Sequence, residues 1–248
     1  MNQINSWMRA REALKEGAKQ AAEIVRKKGL RHPSAGSQQF INDLQSSDPE
    51  RRTTAASFLG ALAIENCSEE LLEILLPKIY DPHKGVRISI CVVFGACGYS
   101  PAVDGLIRML MSDDVAEIGA AGFSLCAIGE SAVPALVKVI TSSVNQLLSK
   151  SRTSPTRAHQ EAVQALNSMG PDLVNWLIDG FFDIKSEDDW YLICAILAKF
   201  PEQAQDALDR VVKAANLSRD EQFRNTSIMR VIETRKNILY FLSEDDPS

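Results

Sequence analysis

Residues 81–106 read DPHKGVRISICVVFGACGYSPAVDGL, and the pattern in them returns along the chain. Asp48-Pro49-Glu50-Arg51-Arg52 leads into small and apolar residues up to Gly60, and Asp81-Pro82 leads through Arg87 to Gly95. Arg52 and Arg87 stand 35 residues apart, as do Gly60 and Gly95, so each arginine precedes its glycine by eight positions. Asp113-Asp114 through Gly129 is a third copy, with Gly98 and Gly129 31 residues apart. Gly170 closes a fourth copy, lengthened by the Ser/Thr/Pro/Lys-rich stretch Ser142–Pro155, which reads as a loop or helix extension. Pro171–Phe200 and Pro201 to about Leu242 form a fifth and a sixth unit without the glycines. Repetition with a period of about 20–50 residues marks arrays in which each unit is one supersecondary element.

Within each unit the spacing predicts two short helices. Apolar residues recur at helical intervals, as in Leu71-Leu72-x-x-Leu75-Leu76-x-x-Ile79. Asp48 and Asp81 each precede a proline, so each is expected to cap a helix whose first residue is Pro. Long strand-like alternation is absent. One helix pair cannot bury both of its faces alone, so neighbouring units are expected to stack and form a continuous core through nearest-neighbour contacts.

The stretch Asp81–Leu106 resembles the HEAT-like repeat of the phycobilisome-lyase type. The matching residues are Asp81, Pro82, Val86, Arg87, Ile90, Cys91, Phe94, Gly95, Gly98, Pro101, Ala102 and Val103. Gly129-x-x-Ala132-Val133-Pro134-Ala135-Leu136 is a second, partial match. The resemblance is clear over residues 37–140 and weaker to about residue 242. It implies an all-α, right-handed α-solenoid, an armadillo-like superhelix of about five to six HEAT-like helix pairs. The expected organisation is a basic capping helix and linker over residues 1–36, the solenoid over 37–242 and an acidic tail, SEDDPS, over 243–248. Such a resemblance specifies a fold far better than a function, because similar solenoids serve as scaffolds, chaperones, inhibitors and enzyme subunits.

Composition narrows the class. The chain has 248 residues, 45% of them hydrophobic and 24% charged, which describes a folded protein. It contains no apolar run long enough for a transmembrane helix and no apolar signal core in its first thirty residues. The five cysteines, Cys67, Cys91, Cys97, Cys126 and Cys194, include no C-x-x-C pair and read as reduced and structural, which predicts a cytoplasmic location. The net charge is −5. Residues 1–31 hold eight basic residues against three Glu, a charge of +5, which leaves −10 on the remainder. An acidic body is a poor match to a phosphate backbone, so nucleic acid is disfavoured as a partner.

Catalytic patterns are missing from the sequence. His32, His83 and His159 lie in different units, with neither a His-Glu-x-x-His arrangement nor zinc-ligand spacing. The paired His-Glu motifs of the di-iron HEAT-repeat hydroxylases, phosphate-binding loops and Gly-x-Ser-x-Gly elbows are absent as well. Glu187-Asp188-Asp189 reads as a helix start favoured by the helix dipole, with a cation or basic-peptide site as the alternative. Trp176 and Trp190, at helical spacing, read as core. No metal and no cofactor are expected.

The stronger candidate is a surface. In a HEAT solenoid the second helices of successive units line the concave side. Aligning the units on their Arg and Gly positions brings Thr53, Thr54 and Ser57 into register with Ile88, Ser89 and Val92, and with Gly119, Ala120 and Phe123. Gln160, Glu161 and Gln164 follow, then Tyr191, Leu192 and Ala195. The candidate binding residues are therefore Thr54, Ser57, Ile88, Ser89, Val92, Ala120, Phe123, Gln160, Gln164, Tyr191 and Leu192. Such a groove suits a helix or extended segment of another protein. The alternative is that Val92, Phe123 and Leu192 point into the repeat core. Residues Ile4, Trp7, Leu14, Ala18, Ala21 and Val25 give the N-terminal helix one apolar stripe, expected to dock on the first repeat as a cap, or else on a partner.

These observations favour a non-catalytic protein-binding scaffold or adaptor. The resemblance alone implies an alternative, a bilin lyase subunit or phycobiliprotein-handling factor that would hold a bilin. The charge of the body leaves a third reading, an inhibitor or immunity-type protein for a basic enzyme.

Overall fold

The computed structural model describes residues 6–27, 37–140, 157–179 and 187–244, and every element among them is helical. The helices are α1 (Ser6–Lys27), α2 (Ser37–Asp43), α3 (Pro49–Asn66), α4 (Glu69–Leu75), α5 (Lys84–Cys97), α6 (Val103–Leu110) and α7 (Val115–Ile128). They continue with α8, described over 133–140, then α9 (Arg157–Ser168), α10 (Leu173–Asp179), α11 (Glu187–Leu197), α12 (Pro201–Leu217) and α13 (Glu221–Glu244). Short 3-10 turns, Leu76–Tyr80 and Ser100–Ala102, extend α4 and introduce α6. The architecture is an all-α succession of packed helices. Ser142–Pro155 and His32 fall outside the described residues.

The chain forms two compact units. The first contains α1–α7, the start of α8, and α9; the second contains the rest of α8 and α10–α13.

In the first unit α3, α5, α7 and α9 lie side by side as one layer, each packed on the next. The turn after α4 packs on α5, and α6 packs on α7, as parts of a second layer. Leu59, Ile90, Phe94, Leu106 and Leu125 are fully buried between the layers. Burying one such side chain stabilises the fold by about 1.5–3 kcal/mol. The repeat glycines set the spacing. A β-carbon at Gly60 would run into the Val93 side chain, and one at Gly95 would lie 2.7 Å from Leu14 Cδ1 and 2.9 Å from Ser124 Cα.

The repeat arginines join successive units. Arg52 donates Nε and Nη2 to the two carboxylate oxygens of Asp81, each at 2.9 Å, and Nη1 to the Ser46 carbonyl at 2.8 Å. Arg87 donates Nε to Glu117 Oε1 at 2.7 Å, and its Nη1 donates to the Asp81 carbonyl. The corresponding position of α7 holds Ile118, which is buried, so the arginine ladder ends there.

Helix starts follow the sequence in part. Asp48 accepts from the Glu50 amide at 2.9 Å with Pro49 in the first turn of α3, and Asp114 accepts from the Ala116 amide at 2.9 Å to cap α7. Asp81 does not cap a helix beginning at Pro82; α5 begins at Lys84. Its carboxylate accepts from the His83 amide, 2.9 Å away, as Asp48 accepts from Glu50, but this bond falls ahead of the helix and Arg52 takes both carboxylate oxygens.

The N-terminal helix also departs from expectation. Instead of capping the first repeat alone, α1 packs on α3, α5 and α7. Trp7 lies against Gly129, Arg11 against Gly98 and Leu14 against Gly95, so α1 crosses the C-terminal ends of the layer. Arg11 donates Nε to the Ala127 carbonyl at 3.1 Å and Nη2 to the Ile128 carbonyl at 3.3 Å. It thereby satisfies carbonyls that the end of α7 leaves unpaired. The side chains of Ala18, Ala21 and Val25, and residue Ile4, lie outside the described set.

In the second unit α10 packs on α12 and α11 on α13, while the long helices α12 and α13 pack on each other. Pro201 begins α12, and Asp220 accepts from the Phe223 amide at 3.0 Å where α13 begins. Trp190 is buried, as its spacing predicts, with the Arg230 guanidinium 4.2 Å from its ring centroid. The side chains of Glu187, Asp188 and Asp189 are outside the described set, although α11 does begin at Glu187. Among the described residues no helix is long and apolar enough to cross a membrane.

A candidate binding cleft between α1, α7 and α9

The layer α3–α5–α7–α9 carries most of the residues singled out from the register. Thr54, Ser57, Ile88, Ser89, Val92 and Ala120 are half-buried, and Gln160 and Gln164 are exposed. Phe123 is 46% exposed, so its ring lies at the surface and outside the core. Ser57 Oγ donates to Ser89 Oγ at 3.2 Å, a bond between neighbouring register positions of α3 and α5. Tyr191 belongs to the second unit, where its ring centroid is 4.7 Å from that of Phe241. The Leu192 side chain is outside the described set.

One part of this face forms a concavity. A cleft of about 590 Å³ opens where α1 runs beside α7 and α9. Its floor is small and apolar: Gly122, Cys126 and Ala165 are buried there. Ala10 and Ala13 of α1 form one wall and Phe123 of α7 the other. A β-carbon at Gly119 would meet nothing within 4 Å, so this glycine leaves the cleft open where any side chain would narrow it. Arg9, Gln164 and Ser168 are exposed at the rim, with Glu161 half-buried beside them.

Of the residues read from the sequence, the cleft brings together Phe123 and Gln164, with their register neighbours Gly119 and Glu161. The other candidates on the layer lie outside it. Arg9, Ala10 and Ala13 were not legible as site residues, because nothing local to α1 shows that it crosses the repeat helices. Their signal was a pair of small residues on the flank of the Trp7–Leu14 stripe.

The chemistry of the cleft is that of a receptor for an apolar group with a polar collar. Burial pushes the Cys126 thiol up to about 11, which makes the sulfur a small hydrophobe and a poor nucleophile near neutral pH. Among the described residues no three His, Cys, Asp or Glu side chains converge as metal ligands.

No family model and no curated protein matches the chain. Solved structures do resemble it. The complex of CpcE and CpcF of phycocyanin lyase from Nostoc sp. PCC7120 shares 22% identity, with 82% of this chain and 78% of that chain covered and a TM-score of 0.44. One engineered protein shares 17% identity over 95% of this chain and 98% of its own, with a TM-score of 0.40. A second shares 17% identity over 91% of this chain and 63% of its own, with a TM-score of 0.42. Likenesses at this level carry no statement about substrate or partner.

Proposed function

We propose that this chain is a non-catalytic binding module that seats an apolar side chain of a partner protein's helix or extended segment between α1 and the α7–α9 pair. The carrying observation is the cleft itself, with a floor of Gly122, Cys126 and Ala165 and the exposed Phe123 ring at its wall. An exposed aromatic beside an apolar hollow is the kind of anchor around which binding energy concentrates. The rim offers one cation, Arg9, and one carboxylate, Glu161, so the segment would carry a polar or charged residue on either side of its apolar anchor.

The test compares proteins captured by wild type, Gly119→Leu and Phe123→Asp from the source lysate, after circular dichroism and melting curves show that all three fold alike. A β-carbon at Gly119 meets nothing within 4 Å, so Gly119→Leu narrows the cleft from a backbone position that accepts a side chain, and the melting curves separate loss of binding from loss of fold. A protein retained by wild type and lost by both variants supports the cleft as the site. Equal capture by all three removes it. A phycobiliprotein or a basic enzyme among the lost proteins would define the partner's class.

A further inference from the structure

Four residues that follow helices of the first layer have positive φ, and one of them is not glycine. Gly98, Gly129 and Gly170 follow α5, α7 and α9 with φ of 63°, 80° and 79°. Cys67 follows α3 with φ 46°, ψ 45°, and among the described residues it is the only non-glycine with positive φ. A β-carbon is disfavoured in this left-handed region, which is why glycine commonly ends helices. A thiol held where glycine would fit better invites a search for what the sulfur meets.

It meets a second thiol. The Cys67 amide donates to the Ala63 carbonyl, and Cys97 Sγ, at the last position of α5, donates to that same carbonyl at 3.9 Å. Cys67 is exposed and Cys97 half-buried. Burial pushes the Cys97 thiol up to about 12, and the adjacent Cys67 thiol pushes in the same direction, whereas Lys15 and Arg11 of α1 oppose it. The other described thiols, Cys91, Cys126 and Cys194, are buried. One accessible thiol thus lies beside one sheltered thiol at the junction of α3 and α5.

We propose that Cys67 and Cys97 form a reversible disulfide that fastens the C-terminal ends of α3 and α5 together. The oxidant is a low-molecular-weight disulfide such as oxidised glutathione. The Cys67 thiolate attacks it, releases one glutathione as thiolate and keeps the other in a mixed disulfide. Cys97 then loses its proton to solvent, attacks the Cys67 sulfur and expels the second glutathione. Two protein thiols are oxidised, one disulfide is reduced to two thiols, and an excess of reduced thiol reverses both steps. The new bond closes a loop from residue 67 to 97 that the unfolded chain would also carry, so the oxidised protein melts at higher temperature than the reduced one.

The experiment incubates the full-length protein with oxidised glutathione in mildly alkaline buffer, alkylates it and maps it by mass spectrometry. The expected product is lighter by two hydrogens, contains a dithiothreitol-sensitive Cys67–Cys97 cross-linked peptide and melts several degrees higher. Cys97→Ser should instead retain glutathione on Cys67, and Cys67→Ser should gain neither adduct nor cross-link. Cys67→Gly should fold at least as stably as the reduced wild type, which separates the thiol's chemistry from any need of the fold for it. A wild-type protein that stops at a stable glutathione adduct, stays unmodified, or cross-links a different pair overturns the proposal.

Discussion

Described arginine–carboxylate pairs in the two compact units differ in their burial. In the first, Arg52 and Arg87 reach between repeats with side chains 11% and 22% exposed, onto carboxylates only 3% and 4% exposed. In the second, Arg235 of α13 pairs with Asp209 of α12, with side chains 35% and 60% exposed. Breaking a buried pair leaves an uncompensated charge in a low-dielectric interior, whereas an exposed pair hands its charges back to water. The first unit is thus a set of helices interlocked by charge and by glycine contacts. The second relies on alanine-lined packing between two long helices, where Ala204, Ala207 and Ala215 are buried.

Removing the Arg87 guanidinium should break this difference most severely. Arg87→Ala strands the Glu117 carboxylate, whose remaining side-chain partner is the Ser112 hydroxyl, 2.6 Å from Oε2. The expected loss is about 3–5 kcal/mol of stability in the first unit. Hydrogen exchange measured helix by helix checks it: amides of α5 and α7 should exchange faster while those of α12 and α13 keep their rates. Equal acceleration in both would show one cooperative body instead of two. Gly95→Ala comes next, at about 1–3 kcal/mol, because its new methyl meets the Ser124 backbone as well as the movable Leu14 side chain. In contrast, Gly119→Ala should stabilise by roughly 0.5–1 kcal/mol, since it relieves a helix-interior glycine and touches nothing. Denaturant midpoints of the three variants would rank these effects.

What the sequence made legible in the first unit is what repeats locally. The eight-residue step from Arg52 to Gly60 and from Arg87 to Gly95 is the spacing of one helix face, and the structure uses it for pairing and close approach. The alignment on those residues also put Phe123 in register with Ser57 and Val92, and the structure places its ring at the surface. Two features resisted reading because they depend on partners distant in the chain. Asp81 follows the local rule for a cap, yet Arg52, 29 residues earlier, holds it. Leu14 and Trp7 look like the stripe of an end cap, and only the folded chain shows them lying over Gly95 and Gly129. The cleft inherits this limit, since one of its walls is α1.

Acid should sharpen the contrast by a smaller amount. Burial pushes the Asp81 carboxyl up, but hydrogen bonds from the Arg52 guanidinium and the His83 amide outweigh it and hold the group below the usual carboxylate range. Asp114 is held low by Lys84, 2.7 Å away, and by the Glu117 amide. A carboxylate with a lowered folded-state pKa binds fewer protons folded than unfolded. Its contribution is therefore complete above the unfolded value, about 3.9, and is lost as pH falls through the folded one. The first unit should lose stability below about pH 4, and the difference between wild type and Asp81→Asn should shrink over the same range. A difference that stays constant down to the acid limit would mean that Asp81 acts through geometry alone.

The smallest effect is expected where the second unit looks most like the first. Asp209 accepts from Arg235 and, at 3.2 Å, from Gln205 Nε2 one turn earlier on α12, so on paper it is as well partnered as Asp81. Its exposure decides otherwise. Water can replace both donors, and ordering the long side chains offsets most of the Coulombic gain, which leaves such pairs at about 0–1 kcal/mol. Asp209→Ala should therefore shift the denaturant midpoint of α12 and α13 only slightly, and added salt should erase the shift. A loss matching that of Arg87→Ala would show that burial is not what separates the two kinds of ion pair, and the division of the chain into a charge-locked and a packing-held unit would fall with it.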